Sequence, residues 1–218
     1  MYEFDFQFIL DNPGFLWAGL KHTLALYAAS LTIGLALGLV IGMGRYSTRK
    51  WLNWPATIWV ELFRNTPVLV QMMWFFFALP VLIGFSLTAF TAATMALAAN
   101  ASANAAEIFR AGIQSIHKGQ WEASRSLGMS YGRIMRRIIL PQAIRRMVPA
   151  FSNRAIELAK MTSLASTISY AELLYEARLM SSMQFNPIEA FTAVAVVFFV
   201  VLYPLTRIVA RFEVDARI

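Results

Sequence analysis

Long runs of apolar residues alternate along the chain with short segments that carry nearly all of the charge. The first run, His22 to Gly44, has no charged residue, and a helix of that length rises about 1.5 Å per residue, enough to cross a hydrocarbon core of about 30 Å. Pro67 to Ala106 is also uncharged, and the Pro- and Gly-containing segment Pro80 to Ser86 divides it in two. The pattern predicts five membrane-spanning helices, at 22–44, about 66–82, about 86–109, 147–170 and about 190–208.

A short helix is predicted between the first and second spans. Pro55 favours its start, and Glu61 and Arg64 lie three residues apart, so their side chains can neutralise each other on one face. The sequence Asn65-Thr66-Pro67 interrupts this helix, because the residue before a proline is disfavoured in helical conformation.

The third predicted span consists mainly of Ala, Ser and Thr. Small residues let helix backbones approach closely in lipid, so this helix is expected inside a bundle. Asn100 and Asn104 lie four residues apart on it, where an amide can hydrogen-bond across helices or contact a polar solute. The sequence leaves both roles open.

The composition favours a bilayer as the solvent and excludes several classes of function. Of 218 residues, 58% are apolar and 14% charged, with a mean hydropathy of +0.56. The absence of cysteine excludes disulfides and cysteine-ligated metals, His22 and His117 are far apart, and no carboxylate cluster has the spacing of a metal site. There is no G-x-x-x-x-G-K-[ST] phosphate loop and no acid/base constellation. Neither an enzyme nor a cofactor-binding chain is expected.

The basic residues are distributed unevenly over the connections between spans. Met1 to Phe8 is acidic and aromatic, without the basic stretch of a cleaved signal, and the positive-inside rule places this N-terminus outside. The outer connections then carry only Arg178, against three glutamates of 171–189, which accounts for the net charge of +7 without nucleic acid. The predicted cytoplasmic connections carry Arg45, Arg49, Lys50, Lys118, Arg125, Arg133, Arg136, Arg137, Arg145, Arg146, Arg211 and Arg217.

The polar segment between the third and fourth spans, about 115–141, predicts two short helices. The first runs from Gly119 to Leu127 and ends at Gly128, whereas Ser130 can cap a second helix that stops before Pro141. A short amphipathic helix, a turn and a basic helix on the cytoplasmic face suit docking into a groove on a soluble partner, and a solvated basic loop is the alternative.

The spacing within this segment resembles a known motif. Glu122-Ala123-Ser124 is followed after three residues by Gly128 and after nine more by Ile138-Ile139-Leu140-Pro141. This is similar to the EAA motif of ABC-importer permeases, with Ser124 in place of the second alanine. Further strings similar to the polar amino-acid permeases of that family are Glu61 to Gln71, Ala106 to Ile113 and Ile139 to Ala143.

The resemblance implies an all-α membrane subunit of five spans, the type I importer permease fold, as one domain over 1–218 in the bacterial inner membrane. It implies that a cytoplasmic coupling helix contacts a partner ATPase, with Gly119, Glu122, Ala123, Ser124, Leu127 and Gly128 as its contact residues. The expected partners are a dimer of ATP-binding subunits that holds ATP and Mg²⁺, a second permease subunit, identical or paralogous, and a periplasmic amino-acid-binding protein.

Three charges lie in the fourth span. Arg154, Glu157 and Lys160 follow at intervals of three, and each would cost about 2.5–3.5 kcal/mol at the centre of a lipid-facing helix, so they should face protein or a water-filled path. Mutual pairing and a place on the substrate route are both compatible with this spacing.

The resemblance favours the substrate route. Lys160-Met161-Thr162-Ser163 is similar to the family's Lys-Asp-Thr-Ser, which borders the substrate site in members that handle cationic amino acids, and relatives of that kind can carry glutamate at the position of Arg154. Both differences remove negative charge, which favours an acidic or neutral substrate. The candidate pathway residues are Arg154, Glu157, Lys160, Met161, Thr162, Ser163, Asn100 and Asn104.

The sequence thus predicts an importer permease that is not itself an ATPase. Two alternatives are a secondary transporter, which would need its own coupling-ion site and usually internal repeats, and a non-transporting scaffold. A chain this short contains no recognisable internal repeat.

Overall fold

The computed structural model describes the backbone of residues 4–215 and the side chains in that range except those at 205, 208 and 210–215. Arg211 is therefore described in its backbone only, and Met1 and Arg217 lie outside the described residues.

The described part of the chain is helical throughout and contains no strand, as predicted. A π-helical turn at Trp74–Ala78 joins α4 to α5, another at Met135–Ile139 joins α8 to α9, and a 3₁₀ helix at Thr162–Ile168 continues α9. The α-helices are α1 (Gln7–Asp11), α2 (Pro13–Tyr46), α3 (Lys50–Asn65), α4 (Val68–Met73), α5 (Leu79–Ile83), α6 (Ala89–Gln114), α7 (Lys118–Ser126), α8 (Tyr131–Ile134), α9 (Leu140–Met161), α10 (Leu173–Gln184) and α11 (Pro187–Asp215).

Two helices of the described residues are long and apolar enough to cross a membrane, Pro13–Tyr46 and Pro187–Pro204. Lys50–Asn65 and Val68–Ile83 meet at a bend of 106°, and together they would make a third span. The helices at the third and fourth predicted spans exist, but they are less apolar, so the count of five spans stays a prediction.

The backbones of α2 and α6 approach each other closely. A Cβ atom placed on Gly38 would lie 2.5 Å from the Cβ atom of Ala105, and one on Gly34 would lie 2.6 Å from that of Ala101. Only glycine fits at these two positions without a shift of the neighbouring helix. The buried face of α2 carries small residues at intervals of four, which are Ser30, Gly34, Gly38 and Gly42.

Helix α6 occupies the centre of the bundle, which confirms the expectation from its small residues. Between Ala92 and Ala106 every residue is buried except Met95 and Ala101. The helix contacts α2, α3, α4 and α9, and its Leu97 belongs to the main apolar core together with Leu26, Met72, Leu158 and Ile168.

The predicted end of the second cytoplasmic helix before Pro141 is wrong. The helix that starts at Tyr131 passes through Pro141 and continues to Met161. The π-helical turn Met135–Ile139 lies directly before Pro141. Its wider winding leaves room for the proline ring, and no helical hydrogen bond is required from the proline nitrogen, which carries no hydrogen. Ser130 is the N-cap residue as predicted, but its side chain makes no capping hydrogen bond.

We expect Gly38→Val to destabilise the protein by about 1–3 kcal/mol, because the new side chain must separate α2 from α6. Gly14→Val is the matched control, since it lies in the same helix and a Cβ atom there has no neighbour within 4 Å. Thermal unfolding of the purified protein in detergent measures both changes. Equal unfolding midpoints for the two variants would contradict the close contact of α2 with α6.

Candidate functional site

Helix α7 has well-defined ends. At its start, Nδ1 of His117 accepts a hydrogen bond from the N–H of Gly119 at 3.1 Å. At its end, the N–H of Gly128 donates to the carbonyl of Arg125 and that of Met129 to the carbonyl of Ser124, and Gly128 has φ of +72°. This is a Schellman motif, which places a residue in the left-handed region and therefore favours glycine. The predicted stop at Gly128 is confirmed.

One face of α7 is fixed to the protein and the other is open. Ser124 is buried, and its hydroxyl donates to the carbonyl of Gln120 at 2.6 Å. Trp121 stacks on Tyr131 at 6.1 Å between ring centroids. The platform below consists of the apolar residues Ile116, Ile134, Ile139, Ala143 and Met147.

The exposed face of α7 consists largely of the residues predicted to contact an ATPase. Glu122 and Ala123 are exposed, and Leu127 has 80% of its surface accessible. Gly119 is half-buried at the start of the helix, and Ser124 points inward, so Ser124 supports the helix from below. The contact with an ATPase itself stays a prediction.

A chain of hydrogen bonds connects α9 to the centre of the bundle. Nη2 of Arg154 donates to Oδ1 of Asn104 at 2.5 Å, and Nδ2 of Asn104 donates to the backbone carbonyl of Asn100 at 2.9 Å. Nδ2 of Asn100 in turn donates to the carbonyl of Phe63 at 2.8 Å. Both asparagines are therefore interhelical hydrogen-bonding residues, one of the two roles that the sequence left open.

The chain of hydrogen bonds ends at the bend between α3 and α4. Nε2 of Gln71 also donates to the carbonyl of Phe63, at 3.0 Å, and to the carbonyl and hydroxyl of Thr66. These bonds satisfy backbone groups that the interruption at Asn65-Thr66-Pro67 leaves unpaired. Phe63 and Gln71 lie within the string Glu61 to Gln71, but the sequence assigned no role to either residue. An uncharged polar residue in the first turn after a predicted helix break is a usable signal.

The three charges of the fourth span do not form one group. Nη1 of Arg154 binds Oε2 of Glu157 at 2.5 Å, whereas Lys160 makes no ion pair within the described residues. Arg154 also lines a cavity of about 30 Å³ between α2, α6 and α9, together with Asn100, Asn104 and Met161. That volume admits water molecules and is too small for an amino acid.

The remaining candidates lie on another side of α9. Lys160 and Ser163 line a groove of about 500 Å³ against α11. Thr162 is buried, and its hydroxyl donates to the carbonyl of Ala159 in its own helix. Seven of the eight predicted pathway residues thus divide between a small, mainly apolar cavity, an open groove and a buried helix turn, and Glu157 is exposed beside Arg154.

A further charge cluster joins α2, α3 and α6. Glu107 binds Arg45 at 2.5 Å and also Arg110, and Arg64 lies 3.9 Å away. Nη2 of Arg45 binds Glu61 at 3.1 Å. The predicted pair of Glu61 with Arg64 is therefore wrong, because packing of α3 on α2 brings Arg45 to Glu61 and turns Arg64 toward Glu107.

Comparison with known proteins gives consistent matches over nearly the whole chain. The model of a family described as binding-protein-dependent transport system inner membrane component matches residues 34–217. The arginine transport system permease protein of Bacillus subtilis is 35% identical over 204 residues, 94% of this chain and 93% of that protein. The glutamine transport system permease protein of Escherichia coli K12 is 36% identical over 212 residues, 97% of each chain.

A solved structure is similarly close. A chain in the crystal structure of an amino acid ABC transporter with histidines superimposes with a TM-score of 0.93 and 35% identity, over 98% of this chain and 100% of that one.

Proposed function

Because the chain belongs to the family of binding-protein-dependent transport system inner membrane components, we propose that it is a permease subunit of an ATP-driven importer. It crosses the bacterial inner membrane five times and provides half of a translocation pathway for a polar amino acid. The names of the arginine and glutamine permeases support an amino acid as the substrate, as does the similarity to a chain of an amino acid ABC transporter.

Helix α7 is the surface that the ATPase subunits contact to drive transport. It presents Glu122, Ala123 and Leu127 outward from a packed platform, a geometry that suits insertion into a cleft of a soluble subunit. ATP and Mg²⁺ bind to a separate pair of ATPase subunits. A second permease subunit, identical or paralogous, and a periplasmic amino-acid-binding protein complete the importer.

Arg154 carries the proposal for the substrate. Its guanidinium is the charged group in the lining of the cavity between α2, α6 and α9, and its planar fork can hold a carboxylate by two parallel hydrogen bonds. Nη1 and Nη2 of Arg154 donate to Glu157 and Asn104, so a substrate carboxylate must displace one of these partners. With the cation at this position and methionine at 161, the pathway favours acidic or neutral amino acids over cationic ones.

The two alternative functions make different demands. A secondary transporter needs a coupling-ion site, and a scaffold does not need the exposed α7 face or the intramembrane charges. Within the described residues there is no group of three or more His, Cys, Asp or Glu side chains that could hold a metal ion. A neighbouring gene for a phosphate-loop ATPase would favour the importer.

We expect Gly128→Asp to lower uptake and stimulated ATPase activity together, because an aspartate at φ of +72° strains the turn that ends α7. Gly132→Asp is the matched control, an exposed glycine four residues on with an ordinary backbone conformation. Both rates are measured in the reconstituted importer after equal membrane insertion is verified. Normal coupled transport by Gly128→Asp would refute the role of α7.

Labelling of introduced cysteines tests the orientation. Because the sequence contains no native cysteine, only the introduced residue reacts. An impermeant thiol reagent added outside should label Ser182→Cys and leave Leu127→Cys unlabelled until the membrane is opened, because basic charge favours the cytoplasmic side. Both positions are exposed in the folded chain, so accessibility within the protein does not decide the result. The reverse pattern would place α7 on the wrong side for an ATPase.

We expect Arg154→Lys to reduce uptake at least tenfold, because lysine keeps the charge but cannot form the two-pronged contact. Exchange of the two residues, Arg154→Glu with Glu157→Arg, distinguishes substrate binding from simple pairing: restored uptake would support pairing alone. Competition of unlabelled amino acids for uptake is the second measurement. Inhibition of uptake by glutamate, aspartate or glutamine is expected, and selective inhibition by arginine or lysine would contradict the proposal.

A further inference from the structure

The outer face of α3 carries an apolar stripe that nothing in the described chain covers. Trp51, Trp54, Ile58 and Leu62 recur at intervals of three and four, so they lie on one side of the helix. The two tryptophans have 68% and 71% of their surface accessible, and Ile58 and Leu62 about half. Single exposed apolar residues are normal on a protein surface, but a contiguous stripe of this kind marks a site of contact with another molecule or a membrane.

The opposite face of α3 is attached to the protein. Val60 is fully buried and Ala56 nearly so, and Nε1 of Trp59 donates to the hydroxyl of Ser102 at 3.0 Å. Nδ2 of Asn53 donates to the carbonyl of Arg45 at 2.5 Å. Because this face is packed, the stripe cannot turn inward, and it requires an occupant outside the chain.

The direction of α3 identifies the occupant. It meets the helix Val68–Ile83 at a bend of 106°, so if that apolar helix crosses the bilayer, α3 runs nearly along the membrane plane. The apolar surface continues from Leu62 to Val70 and Trp74 around a cavity of about 410 Å³ at the bend. The same lipids that surround α4 therefore reach α3.

The start of α3 is basic, in contrast to the apolar stripe that follows it. Arg49 and Lys50 are exposed immediately before Trp51. Tryptophan is enriched at the membrane interface, and lysine and arginine at the rim of an amphipathic helix contact lipid phosphates. Arg49 and Lys50 can therefore contact headgroup phosphates at the start of the helix while the indoles and aliphatic side chains of the stripe face the acyl chains.

We propose that α3 is an interfacial helix whose stripe of Trp51, Trp54, Ile58 and Leu62 is inserted in one bilayer leaflet, with Arg49 and Lys50 on anionic lipid headgroups. The helix anchors the bend at which the hydrogen-bond chain from Arg154 ends. The assignment to the cytoplasmic leaflet rests on the proposed orientation, whereas the insertion itself does not.

Depth-dependent quenching tests the insertion. A bimane label is attached to Ile58→Cys in the complete importer in phosphatidylcholine nanodiscs, whose lipids carry bromine either near the headgroup end or near the methyl end of the chain. We expect stronger quenching by the bromine near the headgroup. Val200→Cys on α11 should prefer the deep bromine, and Ser182→Cys, an exposed position in an outer connection, should respond only to iodide in water.

The alternative occupants give other results. Protection of the Ile58 label from both bromines and from iodide would show that a second protein chain covers the stripe, and quenching by iodide alone would show that it faces water. Either outcome would overturn the proposal without affecting the importer function.

The headgroup contact has its own test. When bromine is carried only by phosphatidylglycerol, quenching at Ile58 should exceed that from the same fraction of brominated phosphatidylcholine. The excess should disappear in the double variant Arg49→Gln, Lys50→Gln. Equal quenching by the two lipids in the unaltered helix would refute the anionic contact.

Discussion

The close contact between α2 and α6 determines the rest of the structure. At Gly34 and Gly38 the two backbones are closer than any side chain would allow, and α6 is thereby enclosed on most of its surface. An enclosed helix has no water for its polar side chains, so Asn100 and Asn104 must find partners within the protein. They find them in Arg154 and the carbonyl of Phe63, and these bonds tie α9 and α3 to the same centre.

This arrangement links the two functional regions physically. The helix that begins at Tyr131 on the α7 platform continues without a break to Met161, and Arg154 lies on it. Only the short turn from Leu127 to Ser130 separates α7 from this helix, and α7 also packs against its first turns, so α7 is physically connected to the element that carries Arg154. The proposed function requires such a link, because the ATPase and the substrate of the proposed importer bind at different sites.

Much of the fold could be predicted from the sequence because its signals are local. Uncharged runs, the small residues of α6 and the glycine that ends α7 all appear in the chain as printed. The partner of Glu61 could not be predicted, because spacing favours Arg64 and only the packing of α3 on α2 brings Arg45 nearer. The π-helical turn before Pro141 likewise depends on the helix being held on both sides of it.

The roles of the candidate pathway residues stay predictions, and the sequence did not predict how these residues are distributed in space. Positions three apart on a helix rotate by about 60° from one another, so Arg154 and Lys160 are separated by about 120° and line different spaces.

The stripe of Ser30, Gly34, Gly38 and Gly42 was visible in the sequence at intervals of four, and it was the missed signal that would have placed α2 against α6.

The central claim is that this chain transports only when a separate ATPase drives it. The direct measurement is uptake into proteoliposomes that contain the chain with its second permease subunit and ATPase subunits, with the binding protein and labelled glutamine outside. The account predicts uptake when ATP is enclosed and none when ATP is omitted, whatever proton or sodium gradient is imposed. Gradient-driven uptake by the permease subunits without ATP would contradict it.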